Sequence, residues 1–169
     1  MPDELQTFVN FWNLEAKKTA DLLRTLPVDQ YDFRPDPQAR SLGELAWHLA
    51  EVDAYPTWSI EQGGFQPGSR PHGIERPRSI EALAPGYEQI HAEAVERIQR
   101  LSSDDLDRKI SGFGGREMSI RDLLWGAVLF HMIHHRGQLS ILTRIAGGSV
   151  PSIFGPTREQ MAALRAAQA

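Results

Sequence analysis

The sequence predicts an all-α protein: a four-helix bundle with long inter-helix loops and a short C-terminal helix. Two observations carry that prediction. Four stretches repeat apolar residues at three- and four-residue spacing, with no strand-like alternation of useful length between them. Each stretch is also bounded by residues that start or stop helices, so pattern and punctuation agree. At 169 residues the chain fits one domain, taken as 1–169, long enough to bury a core without disulfides.

The first helix is expected over 3–26, with Asp3 as cap, Leu5, Phe8, Trp12, Leu22, Leu23 and Leu26 as apolar positions, and Pro27 as its stop. A loop with three prolines follows to residue 40. Ser41-Leu-Gly-Glu44 has the spacing of a capping box and opens a second helix to about Glu61. Residues 62–78 hold four glycines and three prolines, a long loop that makes a candidate lid. Ser79 opens a third helix through Ile80, Leu83, Tyr87, Ile90, Ala94, Ile98 and Leu101, with Pro85-Gly86 expected to kink it or delay its regular start. Segment 102–118 reads as irregular. Ser119-Ile-Arg-Asp122 starts a fourth helix, stopped after Ala146 by Gly147-Gly148, and Thr157-Arg-Glu-Gln160 starts the short last one.

Composition narrows the function classes. The chain is 41% hydrophobic and 24% charged, with a net charge of −4, and its pI is about 5.8. Arg70, Arg76 and Arg78 make the densest basic stretch, too sparse for a nucleic-acid face, so no nucleic-acid partner is expected. No apolar run approaches transmembrane length, and Met1-Pro2-Asp3-Glu4 is acidic where a signal peptide is basic. A cytoplasmic protein with no membrane partner is the expectation. With no cysteine, thiolate metal sites, disulfides and thiol nucleophiles are excluded.

The chemistry concentrates in His131-Met-Ile-His134-His135-Arg136-Gly137-Gln138-Leu139. On a helical wheel Leu124, Ala127, His135, Gln138 and Leu142 fall within about 40° of His131, whereas His134 lies about 100° from His135. His131 and His135 therefore continue an apolar stripe, and His134 faces partly away. On the second helix His48 shares its face with Leu45 and Val52. Ligands from two facing helices are what a bundle metal site requires. Three imidazoles without a carboxylate or thiolate leave the fourth position for water or substrate, the pattern of a catalytic site. The alternative for each histidine is a hydrogen-bonded core residue. That reading is preferred for His91, while His72 reads as a solvated loop residue.

These residues resemble the DinB/YfiT-like family of bacterial metal-dependent proteins. The resemblance rests on His48 within Ser41-Leu-Gly-Glu-Leu-Ala-Trp-His-Leu-Ala50 and on His131-x3-His135-Arg136-Gly137-Gln138-Leu139. Phe33-Arg-Pro35 and Val150-Pro-Ser-Ile-Phe-Gly-Pro156 complete the set, in the same order across nearly the whole chain. It implies a four-helix bundle of unusual helix order, often a homodimer. It also implies His48, His131 and His135 as ligands of a divalent ion, nickel or zinc first, with iron or manganese as further candidates. Some members of the family are thiol-dependent S-transferases or isomerases that use low-molecular-weight thiols.

Two functions from different classes follow. One is a metal-dependent enzyme, a hydrolase or thiol S-transferase, whose ion activates water or a small thiol toward a small-molecule substrate. The other is a non-catalytic, stress-related bundle protein that binds metal or a small molecule. Around the histidines, Glu51 reads as a solvated carboxylate ahead of a partner for an imidazole, and Gln138 as either a core amide or a site residue. Trp47, Tyr55 and Trp58 read as core or dimer contacts ahead of cleft walls. Arg136 points off the histidine face, toward an ion pair or an interface. Gly137, unfavourable in mid-helix by up to about 1 kcal/mol, is explained by close approach of another helix.

Overall fold

The computed structural model describes residues 3–168, so Met1, Pro2 and Ala169 lie outside the described residues. Helix α1 runs Glu4–Leu23, with the Asp3 carboxylate accepting the Gln6 N–H at 2.8 Å. Helix α2 runs Leu42–Glu61 behind the expected capping box, in which Ser41 and Glu44 satisfy each other's backbone N–H groups. Helix α3 runs Leu83–Gln99. Pro85 falls in its first turn, where an amide has no intrahelical partner to lose, so the helix starts late and is not kinked there.

Helix α4 is continuous through three stretches: Ile120–Asp122 is α-helical, Leu123–Phe130 π-helical, and His131–Ile145 α-helical again. A short α5, Arg158–Ala166, follows behind a second capping box of Thr157 and Gln160. Gly147, at φ +85°, ends α4 in the left-handed conformation that glycine adopts without strain.

The π-helical stretch is a departure from the expected regular helix. Its wider turn buries neighbouring pairs five residues apart, Leu123 with Leu124 and Val128 with Leu129. The buried positions that follow, Met132, Arg136, Leu139 and Thr143, return to three- and four-residue steps. A single 100° wheel across 124–142 therefore misplaces part of the stripe: Gln138 is exposed, and His131 and His135 are half-buried at its edge.

Segment 102–118 is not irregular. It holds a 3-10 turn, Ser103–Asp107, and nearly all of a small hairpin, in which β1, Lys109–Ser111, pairs antiparallel with β2, Glu117–Ser119. The expectation that the chain forms no strand is corrected by this hairpin. Three-residue strands with one buried residue, Ile110, leave no alternation to read.

Helix α1 packs mainly on α3 and α4, and α2 packs mainly on the same two. Helices α1 and α2 are thus diagonal rather than adjacent, and the connection 24–41 crosses from one corner to the opposite one. The core runs along the axis, with Phe8, Trp12, Leu49, Tyr87, Ile98 and Leu139 among its buried members. Buried polar groups tie the helices across it. The Trp12 indole N–H donates to Asp53 at 3.0 Å, and His91 donates through Nδ1 to the other Asp53 oxygen at 2.8 Å, which makes it a hydrogen-bonded histidine at the edge of the core. Arg136, almost fully buried, pairs with Glu15 and donates to the Glu15 carbonyl at 2.8 Å.

Two glycines divide on the role of close approach. A Cβ on Gly86 would lie 2.8 Å from the Trp47 ring, so α3 and α2 meet there at glycine distance. At Gly137 no atom stands within 4 Å of that position, so the close approach of another helix expected there is not made within the described residues. Loop 62–78 is pinned at three points: Phe65 N–H to the Ser111 carbonyl at 2.7 Å, Trp47 N–H to the Ile74 carbonyl at 3.0 Å, and Tyr31 hydroxyl to the Pro77 carbonyl at 2.6 Å. It forms a wall rather than a free flap. No helix of the described residues is long and apolar enough to cross a membrane.

Candidate metal centre

His48, from α2, meets His131 and His135, from α4, on one side of the bundle. One nitrogen from each ring lies within 4.8 Å of the others, and among the described residues this is the one group of three or more metal-ligating side chains so arranged. The ring centroids of His48 stand 5.6 Å from His131 and 4.6 Å from His135. The Nε2 atoms of His131 and His135 face each other at 2.8 Å.

Each ring has its other nitrogen engaged. Nδ1 of His48 is 2.8 Å from a Glu51 carboxylate oxygen, Nδ1 of His131 donates to the Ala127 carbonyl at 3.3 Å, and Nδ1 of His135 is 2.7 Å from the Gln138 side-chain oxygen. A proton on every Nδ1 leaves every Nε2 with its lone pair facing the common centre. This is the outer arrangement that fixes tautomer and orientation in histidine metal sites. The donor set fits a divalent ion with room for one further ligand.

The electrostatics act in the same direction. Burial is the largest cause lowering the His131 pKa, and it takes His135 down to about 4, so both rings are neutral at pH 7. The Glu51 carboxyl is lowered chiefly by its hydrogen bond with His48, so it is an anion facing that imidazole. Only neutral imidazole binds a metal, and a carboxylate behind it raises its basicity.

His48 and His131 open onto a cavity of about 670 Å³ between α2, α4, the hairpin and the start of loop 62–78. That volume is within the ordinary range of small-molecule sites. Glu51 and Tyr55 line it, as does Arg40 from the end of the first loop.

The structure brings together the three histidines singled out from sequence and leaves His134, His91 and His72 outside the group. His134 is exposed, with Nε2 3.1 Å from the Gln138 amide. One reading is corrected, since Glu51 is a partner of His48 rather than a solvated carboxylate, and of the two readings of Gln138 the structure favours the site residue, exposed and 2.7 Å from His135 Nδ1. Trp47 is core, whereas Tyr55 is a cavity wall. Sequence reasoning missed Arg40, Phe65, Phe113, Arg116 and Met118, all of which line the cavity. They come from three separate loop or strand segments with no shared periodicity.

Comparison with known proteins agrees with the fold. YrdA of Bacillus subtilis (strain 168), itself uncharacterised, is 30% identical over 158 residues, which cover 94% of this chain and 92% of that one. A DinB-like protein from Bacillus cereus ATCC 10987 has a similar structure, with a TM-score of 0.71 and 28% identity over 87% of this chain and 95% of that one. YfiT from Bacillus subtilis, described as a probable metal-dependent hydrolase with an unusual four-helix bundle topology, shares the fold at a TM-score of 0.68. Its identity is 12%, over 88% of this chain and 92% of that one. The model of the DinB family matches residues 1–168, and with it the sequence motifs and the bundle lead to one conclusion: the chain belongs to the DinB family.

Proposed function

We propose that this protein is a metal-dependent enzyme in which His48, His131 and His135 hold a divalent ion, nickel or zinc, against an electrophilic small molecule in the adjoining cavity. The observation that carries the reading is the convergence of one nitrogen from each of three imidazoles, with Nδ1 of every ring engaged by a partner. A divalent ion there supplies Lewis acidity, enough to deprotonate a bound water or small thiol near neutral pH. The protein's own residues do the remainder. Glu51, Ala127 and Gln138 hold the three rings in the ligating tautomer, and burial keeps His131 and His135 unprotonated. The apolar cavity walls exclude bulk water from the reacting groups. With water as nucleophile the reaction is a hydrolysis, and with a low-molecular-weight thiol it is an S-transfer.

Metal analysis of protein purified without an affinity tag tests the site. Stoichiometric metal is expected in the wild type and its loss in His48→Ala and His131→Ala; metal retained in both variants would overturn the assignment. Hydrolase and thiol-transfer screens of the metal-loaded protein separate enzyme from non-catalytic binder, with His135→Ala as control and circular dichroism verifying its fold.

A homodimer is part of the same reading. Phe130, Ile141 and Ile145 lie on one outward face of α4, each more than half exposed, and Gly137 sits on that face with open space beside it. An apolar stripe with a glycine at its centre suits the second helix that is missing within the chain.

A further inference from the structure

The cavity beside the histidines has a composition that specifies more than its volume does. Its walls are apolar, built by Val52, Pro56, Phe65, Met118 and Leu123, with Tyr55 as a second aromatic. Its charged groups are few: Arg40, Arg116 and Glu51. Glu51 is committed to His48. Neither arginine forms an ion pair among the described residues, although Arg34 and Arg76 nearby both pair with Glu44. The pocket therefore sets two arginines against one carboxylate, a net positive charge to which a bound divalent ion would add.

The two arginines are not equivalent. Arg40 stands at the metal centre: it lines this cavity together with His48, Glu51 and His131, and on its other side a surface depression with Gln138, the partner of His135. Arg116 belongs to the hairpin end, next to Phe113. That phenylalanine is 85% exposed, yet its ring meets Phe65 edge-on at 5.2 Å at the cavity mouth. A solvent-facing aromatic pair at a pocket mouth extends the apolar wall outward for the body of a ligand.

We propose that the substrate of this site is an organic carboxylate with an aryl-sized apolar body, its anionic group seated on Arg40 beside the histidines and its apolar part lying between Tyr55, Phe65 and Leu123. A guanidinium pairs with a carboxylate through two parallel hydrogen bonds. Neutral and cationic molecules of the same shape lose this contact. The proposal rests on the reading of the pocket as the substrate side of the metal centre, but the binding it predicts needs neither metal nor turnover.

The test is titration of the protein, as purified and again with chelator, with 1-naphthaleneacetate and with 1-naphthaleneacetamide, which differ in charge and not in shape. One site per chain is expected, with the acid about tenfold or more tighter than the amide in both conditions. Arg40→Met should erase the preference by weakening the acid alone; Arg40 is exposed, so the variant folds. Arg116→Met should leave the preference in place, and Ala127→Trp, which fills the cavity, should abolish binding of both. Equal affinities for acid and amide, a preference that survives Arg40→Met, or its loss in Arg116→Met would each overturn the proposal. A preference that vanishes with chelator would assign the anion to the metal and also overturn it. Metal-free protein that still prefers the acid would sustain the proposal even if the metal analysis failed.

Discussion

Replacing Arg136 by Met tests whether the buried pair with Glu15 holds α4 in place. Arg136 is 2% exposed, and its guanidinium bonds both the carboxylate and the backbone carbonyl of Glu15. Removing it leaves a buried carboxylate with Lys18 as its remaining partner, at 2.6 Å. Breaking a buried ion pair costs about 3–5 kcal/mol. Because the Lys18 pairing persists, the loss should fall near the lower end, about 3 kcal/mol. For a chain of this length that lowers Tm by roughly 6–12 °C.

The acid limb provides a second readout. Burial alone would raise the Glu15 carboxyl, but Lys18 and Arg136 outweigh it and hold it below its ordinary value. A depressed carboxyl adds stability above its unfolded pKa and loses it as pH falls through the folded one. Without Arg136 the depression shrinks, so acid unfolding should begin at higher pH. Urea denaturation across pH, on Glu15→Gln, Arg136→Met and the double variant, measures both effects. The double variant should be more stable than the two single losses added together, since no charge is left uncompensated. Simple additivity, or a loss below about 1 kcal/mol in Arg136→Met, would refute the reasoning.

Glu51→Gln should weaken zinc binding by about 10- to 100-fold in a competitive chelator titration, because the acceptor behind His48 loses its charge; unchanged affinity would remove Glu51 from the site. In metal-free protein the His135 ring, watched by NMR, should titrate near pH 4 rather than at its ordinary value. Its pKa is lowered in the folded state, so the unfolded chain binds more protons below neutrality and stability should rise with pH between the two values. Gly86→Ala should destabilise by about 1–3 kcal/mol in urea, since its Cβ would stand 2.8 Å from the Trp47 ring. Ile141→Glu should convert a homodimer to monomer in analytical ultracentrifugation; a wild type that sediments as monomer would refute the α4 interface.

The starts of α1, α2, α4 and α5 were legible because capping is local, whereas α3 begins at Leu83 rather than Ser79, behind Ala82 with no side-chain cap. Asp3, Ser41 with Glu44, Ser119, and Thr157 with Gln160 each act on amides two or three residues away, and each does so in the structure. The three-histidine cluster was legible for the related reason that His131 and His135 are one turn apart and His48 sits on an inward face. What stayed hidden depends on distant partners. Arg136 is buried because Glu15, 121 residues earlier, receives it, and Asp53 is buried because it accepts from Trp12 and His91. The π-helical stretch changes the helical phase just before His131, which no fixed-angle wheel can anticipate. The cavity walls from the hairpin were hidden because its strands are three residues long.

Those distant contacts explain why a helix that supplies no ligand matters to the site. On α1, Trp12 and Glu15 are three residues apart and so lie on one face. Trp12 binds Asp53, five residues beyond His48 on α2. Glu15 binds Arg136, the residue after His135 on α4. Each helix that carries proposed ligands is therefore tied to the same turn of α1 by a buried polar contact close to its histidines. Helices α1 and α2 are diagonal in the bundle, so the Trp12–Asp53 bond crosses the core rather than running along a packed seam. The spacing between His48 and the His131–His135 pair is thereby set from behind, by α1, rather than by the ligands alone. On this view the site is held in its ligating geometry before metal arrives. Weakening Glu15 or Trp12 should then reduce metal affinity as well as stability, although neither touches the centre.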